Sequence, residues 1–190
     1  MAQKGLSSAH IMEEAVKLVE EKGYDRFSLR ELAARLEVRP ASLYNHVDGI
    51  GEINTAVAMK AADMLNRALA DAVGDRERDE AFLAAARAYR SFADGNPEVY
   101  KALIRMPASG DADIRRAAFA SFEPLRAVIK SYGAAERETT HFLRALRSAM
   151  HGFVELTSNG FMQRDAVPRE ETYELLIHGY LNVLKGMAGK

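Results

Sequence analysis

The sequence predicts an all-α protein: a three-helix head with a helix-turn-helix, followed by a five- to six-helix body. Three observations carry that expectation. Apolar residues recur at the helical period along almost the whole chain. No run of alternating β-branched residues interrupts them. The breaks between periodic stretches fall at residues that start or stop helices.

Taken in order, Ser7 or Ser8 caps a first helix with Ile11, Ala15, Leu18 and Val19 on one stripe, and Gly23 ends it. Ser28 opens a second helix, with Glu31 three residues later in capping-box register. Its apolar positions are Leu29, Leu32, Ala33 and Leu36. After Glu37-Val38-Arg39, Pro40 suits the first position of a very short third helix containing Leu43 and Tyr44. Asp48-Gly49 breaks the chain again, and a long helix runs to about Val73. Gly74-Asp75 and Gly95-Asn96-Pro97 bound a fifth helix, and Pro97 begins a shorter one to about Arg105. Pro107 to Gly110 reads as a loop. A helix from about Asp113 to Tyr132 holds Pro124, which is expected to kink it near Ala120 to Glu123. Two long helices complete the chain, about Ala135 to Asn159 and Pro168 to Met187, joined by a loop. The expected division is a head over 1–48 and a body over 49–190.

Composition narrows the function. The 190 residues are 48% hydrophobic and 28% charged, ordinary for a globular protein. No apolar run approaches the roughly eighteen residues of a membrane span. The first ten residues lack the apolar stretch of a secretion signal, so a cytoplasmic protein is expected. Zero cysteines exclude disulfides, thiolate catalysis and thiolate metal sites. Net charge is −1, so no global basic field marks a nucleic-acid binder, and any DNA affinity has to come from a local patch.

The stretch Ser28 to Val47, SLRELAARLEVRPASLYNHV, supplies such a patch. A short helix, a three-residue turn and a second short helix have helix-turn-helix spacing. Ala33 sits at the helix crossing, and Leu32, Val38 and Leu43 are spaced for the small core beneath the turn. The second helix offers Arg39, Ala41, Ser42, Tyr44, Asn45 and His46, a face without a carboxylate that suits phosphates and base edges. Between Arg26 and His46 four arginines oppose Glu31 and Glu37. Residues 1 to 50 together hold seven Lys/Arg against eight Asp/Glu, so placement decides the field.

These residues closely resemble the DNA-binding head of the TetR/AcrR family of bacterial transcriptional regulators. The resemblance covers about Ser8 to Ala58. It includes Ala15-x-x-Leu18, Gly23-Tyr24, Phe27 to Ala33, and Val38-x-x-Ala41-Ser42-Leu43-Tyr44-x-His46-Val47. It implies that Arg30 contacts the DNA backbone or a guanine, and that Pro40, Ala41, Ser42, Tyr44 and His46 belong to the recognition helix's contacts. On that view Tyr44 and His46 anchor phosphates, while Arg39, Ala41, Ser42 and Asn45 vary with the operator. Three positions depart from the family pattern. Glu37 stands in place of the turn's usual glycine, Val47 in place of a common phenylalanine, and Ile50 where many members carry a phosphate-binding lysine.

In the body, Met150 to Leu156 with Asn159-Gly160-Phe161 resembles the histidine–glycine motif of one C-terminal subgroup. Gly152 in a helix costs about 1 kcal/mol relative to alanine, so close helix approach is expected there, with His151 bonded to a neighbour rather than to a ligand. The resemblance implies a homodimer formed through the last two long helices. Leu143, Leu146, Met150, Phe153 and Val154 on one, and Leu175, Leu176, Tyr180, Leu181 and Leu184 on the other, exceed what one core stripe needs. Leu146, Phe153, Val154, Leu176, Tyr180 and Leu184 are the interface candidates, and filling the protomer's own core is the equal alternative for each. Gly179 and Gly186 would permit tight crossing. A pocket for a largely apolar small-molecule effector is implied between the long fourth helix and the Pro124 helix. Candidate lining residues are Met64, Phe82, Tyr89, Phe92, Tyr100, Leu103, Met106, Phe119, Phe122, His141 and Met150, although plain core is the commoner role of such residues.

Nothing points to an enzyme, cofactor or metal. The pairs His10/Glu14 and His151/Glu155 fall short of the three protein ligands that a catalytic zinc needs, and no HExxH, phosphate-cradling glycine loop or GxSxG turn occurs. The expected function is a ligand-responsive transcriptional repressor that binds a pseudo-palindromic operator in double-stranded DNA as a dimer. The alternative is a helical ligand- or partner-binding module whose head does not bind DNA, favoured by the acidic first helix and by Ile50.

Overall fold

The computed structural model describes residues 6–105, 112–162 and 166–188, which are mostly helical with no strand among them. The helices are α1 (Ser8–Lys22), α2 (Leu29–Arg35), α3 (Pro40–Leu43), α4 (Ile50–Val73), α5 (Arg78–Gly95), α6 (Pro97–Ile104), α7 (Ala112–Ala120), α8 (Glu123–Lys130), α9 (Glu136–Ser158) and α10 (Arg169–Ala188). The expected loop at Pro107 to Gly110 lies outside the described residues.

Local chemistry explains most boundaries. The Ser7 hydroxyl accepts the His10 N–H at 3.2 Å and starts α1. Gly23 stops α1 by donating its N–H to the Val19 carbonyl at φ 93, ψ 142, backbone that side-chain-bearing residues avoid. At α2, Ser28 accepts the Glu31 N–H at 3.3 Å and donates its hydroxyl to the Glu31 carboxylate at 2.8 Å. The carboxylate thus closes on the cap's hydroxyl instead of its backbone N–H, a variant of the expected capping box.

The expected kinked helix over residues 113–132 is instead two helices, α7 and α8. Pro124 occupies the first turn of α8. There its missing N–H breaks no intrahelical bond, whereas mid-helix it would remove one and clash with the preceding turn. Ending one helix and starting another is the cheaper arrangement. The helices after the head accordingly number seven among the described residues.

The contacts fall into two compact units, one from residues 1–64 with 96–120 and one from residues 65–95 with 121–190. In the first, α1 packs on α2 and α6, and α2 packs on α3. Ile11, Ala15, Leu18, Val19, Phe27, Leu32, Ala33 and Leu43 form the buried centre. Each fully buried Leu or Ile contributes on the order of 1.5–3 kcal/mol, so the apolar stripes dominate the stability of the head. Helix α6 is tied to the α1–α2 turn by charge. Glu98 accepts the Tyr24 N–H at 2.7 Å, and Asp25 lies between Lys101, at 3.3 Å, and Arg105. The Arg105 guanidinium sits 5.9 Å from the Tyr24 ring centre.

In the second unit α5 packs against α8, α9 and α10. Its core is aromatic: Phe82 lies 6.2 Å from Phe142, Tyr89 5.7 Å from Phe122, and Phe153 4.9 Å from Tyr173 between ring centres. Tyr173 satisfies its buried hydroxyl by donating to the Ala86 carbonyl at 2.6 Å. At the edge of α5 and α10, Arg87 forms a two-pronged bond with Glu174, and Arg90 reaches Glu170 at 3.0 Å.

Candidate nucleic-acid interface and body cleft

The recognition surface is held up by the core directly beneath it. Leu32, Ala33 and Leu43 are fully buried, and the turn closes through Val38 N–H to the Ala33 carbonyl at 3.0 Å. Alanine at 33 matters because α2 and α3 meet over it. Val38, expected in that core, is half-buried. Glu37 takes φ +56, the left-handed conformation that the usual glycine would adopt freely. The turn keeps its geometry, and the residue bears the strain.

Helix α3 then presents its outer face to solvent. Arg39, Pro40, Ala41, Asn45 and His46 are exposed, Ser42 is half-buried, and Tyr44 is 59% exposed. Arg30 on α2 is also exposed. The seven residues from Pro40 to His46 carry no carboxylate. Two of the four glutamates of α1 are paired: Arg35 bonds Glu14 at 2.6 Å and Glu21 at 2.6 and 2.8 Å. Bonding to Lys17 and then to Arg35 holds the Glu14 carboxyl below its ordinary value, and Arg35 does the same for Glu21. Those two carboxylates stay ionised and neutralised on α1. Arg35 is thereby a brace between α1 and α2, and Arg30 and Arg39 remain as exposed cations of the motif. Ile50, at the start of α4, is exposed and offers no charge to a phosphate.

This is the geometry of a helix-turn-helix DNA reader, with a short second helix whose outer side chains reach a groove. Residues 11–49 match the bacterial regulatory proteins of the tetR family, and residues 82–180 match the tetracyclin repressor-like C-terminal domain. The chain belongs to the TetR family and is a DNA-binding transcriptional regulator. It is 37% identical over 162 residues to the uncharacterised helix-turn-helix regulator Rv0681 of Mycobacterium tuberculosis, covering 83% of this chain and 72% of that one. It is 30% identical over 183 residues to YobS of Bacillus subtilis, covering 96% and 93%. In fold it is similar to a Rhodococcus protein of unknown function at TM-score 0.80 and 20% identity, covering 99% and 100% of the two chains. It also resembles the TetR regulator PfmR of Thermus thermophilus at TM-score 0.61 and 22% identity, covering 90% and 97%.

The pocket candidates are scattered. Phe82, Tyr89, Phe92, Phe122 and Met150 are buried in the second unit, and Tyr100 and Leu103 in the first. Met64 is half-buried, His141 is exposed, and Phe119 is 73% exposed on α7. Met106 lies outside the described residues. None of the ten described candidates borders the cleft that opens between the end of α4 and α8. That cleft encloses about 500 Å³ and is lined by Ala70, Val73, Arg76, Glu77, Arg78, Ala81, Pro124, Ala127, Val128 and Ser131. The cleft lies beside α4 and the Pro124 helix and is lined by other residues than those candidates. Large Met and Phe side chains fill the space they point into, so the opening lies where small residues leave room. The alanines at 70, 81 and 127 were the readable signal.

The interface candidates divide similarly. Leu146, Phe153, Val154 and Leu184 are buried within the protomer, and only Leu176 and Tyr180 are partly open. The aromatic core of α5, α9 and α10 consumes the first four. The exposed apolar residues of α9 and α10 are instead Leu156, Leu175 and Val183, with Leu175 75% and Val183 57% exposed. A Cβ placed on Gly152, Gly179 or Gly186 would meet nothing within 4 Å. Close packing inside the protomer is therefore not what keeps those positions small, contrary to the expectation for Gly152.

Among the described residues no cluster of three metal-ligating side chains occurs, and no helix is long and apolar enough to cross a membrane.

Proposed function

We propose that this regulator is a homodimeric, effector-responsive repressor with no enzymatic activity. Residues 1–48 read the operator, and residues 49–190 bind a largely apolar effector and hold the dimer. The observation that carries this reading is the exposed, carboxylate-free face of Pro40 to His46 standing on the buried Leu32–Ala33–Leu43 core. Arg30, Arg39, Tyr44 and His46 engage phosphates or a guanine, and Ala41, Ser42 and Asn45 face base edges. Two such heads read half-sites one or more helical turns apart. Dimerisation uses the outward face of α9 and α10, where Leu156, Leu175 and Val183 are exposed and Gly179 and Gly186 leave room for a partner helix. Effector and operator are coupled through head spacing, so each weakens the other by the same factor.

Fluorescence anisotropy of the full chain on its own upstream DNA, against a scrambled duplex and across a salt series, tests the reading. Selective binding with a steep salt slope is expected, and Tyr44→Ala removes it while the thermal midpoint and dimer stay unchanged, because Tyr44 is exposed. Equal loss of folding in that variant would refute the contact assignment. No selectivity on that fragment or on a random-sequence pool would favour a partner-binding module.

A further inference from the structure

We propose that the cleft between the end of α4 and α8 binds an apolar molecule carrying a carboxylate, with its hydrocarbon on Val73, Ala81, Pro124 and Val128 and its acid group at Arg76 and Arg78. The proposal rests on reading residues 49–190 as an effector-binding body, and it names the chemical class and the site. The cleft belongs wholly to the second unit, and at about 500 Å³ it falls within the size range of small-molecule sites. The floor offers aliphatic surface from three helices and no side-chain hydrogen-bonding group apart from the Ser131 hydroxyl, which is turned back onto the Val128 carbonyl at 2.7 Å. An apolar chain therefore loses no hydrogen bond by lying there.

The two guanidiniums set the polarity of the other end. Arg76 and Arg78 border the cleft, and neither forms an ion pair among the described residues. Asp79, whose carboxyl feels the Arg78 charge, has its bonds taken by Lys185 and the Tyr132 hydroxyl. Glu77 contributes one opposing charge, which leaves the rim at a net +1. Both cations are positioned before any ligand arrives. Arg76 donates to the Ala72 carbonyl at 3.1 Å, and the Arg78 guanidinium lies 5.4 Å from the Tyr132 ring centre. Ordering them on binding consequently costs less side-chain entropy. Arg78 also sits at φ +44, a left-handed conformation unfavourable for a side-chain-bearing residue and retained here at the edge of the cleft. Guanidinium forks match carboxylates in geometry as well as charge.

The test is calorimetric titration of the full-length protein, free of DNA, with octanoate, octan-1-ol and octylammonium at pH 7 and low salt. Octanoate is expected to bind about tenfold more tightly than either of the others. Replacing both cations (Arg76→Gln with Arg78→Gln) removes that preference and leaves octanol affinity unchanged. Ala127→Trp, at an exposed position of the floor, weakens all three ligands while the circular dichroism melt stays intact. Octanol binding as tightly as octanoate, a preference for octylammonium, a preference surviving the double substitution, or no octanoate binding would each overturn the proposal. Operator binding by the free protein is scored separately. Its absence with the octanoate preference intact overturns the repressor reading alone, and its presence without octanoate binding overturns this inference alone.

Discussion

Replacing Gly23 with alanine should destabilise the head by about 2–3 kcal/mol. The larger contribution is backbone. At φ 93, ψ 142 the residue lies close to a region that only glycine populates freely, and holding alanine there costs on the order of 1–3 kcal/mol. The smaller contribution is contact. The new Cβ would stand 3.3 Å from the Glu98 carboxylate and 3.4 Å from the Arg26 side chain, so Glu98 must yield by a few tenths of an ångström. That carboxylate accepts the Tyr24 N–H at 2.7 Å, and a hydrogen bond to a charged group contributes roughly 1.5–3 kcal/mol, part of which is lost as it shifts. For a chain of this size the sum corresponds to a fall of about 4–12 °C in the thermal midpoint. Circular dichroism melts of the wild type, Gly23→Ala, Glu98→Ala and the double variant measure it. The two substitutions should be non-additive, because removing the Glu98 carboxylate relieves the contact that the new methyl creates. A midpoint unchanged within 1 °C would refute the backbone argument, and strict additivity would refute the contact argument.

Glu37→Gly should have the opposite sign. Leaving φ +56 to glycine relieves about 1–2 kcal/mol of left-handed strain, offset by roughly 0.5–1 kcal/mol of extra chain entropy, for a net gain of up to about 1.5 kcal/mol in a melt. Leu175→Glu places a charge on the outward face of α10 and should convert the proposed dimer to monomer in analytical ultracentrifugation, with the fold retained because the residue is exposed. Acidification should destabilise the second unit. Lys185 and then Tyr132 hold the Asp79 carboxyl below its ordinary value, and Arg87 does the same for Glu174. A depressed folded-state pKa means that the stabilisation is whole above the unfolded value of about 4 and is lost as the pH falls through the folded one. Melts between pH 6 and pH 3 should therefore show a falling midpoint, less steep in Arg87→Met, where the Glu174 contribution is already gone.

Much of this protein was legible in one dimension. Caps and stops at Ser7, Gly23, Ser28 and Pro40 act on their own neighbours through local hydrogen bonds and backbone sterics, so α1 to α3 end where the residues say they should. The recognition face is equally local: residues on one short helix between two fixed breaks have few ways to be displayed. Pro124 was legible as a disruption but not as a choice, because kinking one helix and starting another satisfy the same local rule, and only the packing around it selects between them.

What tertiary structure decided is which of several identical-looking apolar residues became core and which became surface. Leu146 and Leu175 are both leucines on long helices expected to pair, yet one is fully buried and the other mostly exposed: Leu146 shares its stripe of α9 with buried Phe142, Met150 and Phe153, whereas Leu175 lies two residues from buried Tyr173, on the other side of α10. The same holds for the cleft. It opens where residues 70–81 meet residues 124–131, two stretches more than forty positions apart, and is a property of neither alone. Gly23 joins the two levels. The sequence marks it as a helix stop, but its carboxylate neighbour is Glu98, 75 positions further along, and only folding brings a side chain that distant against it.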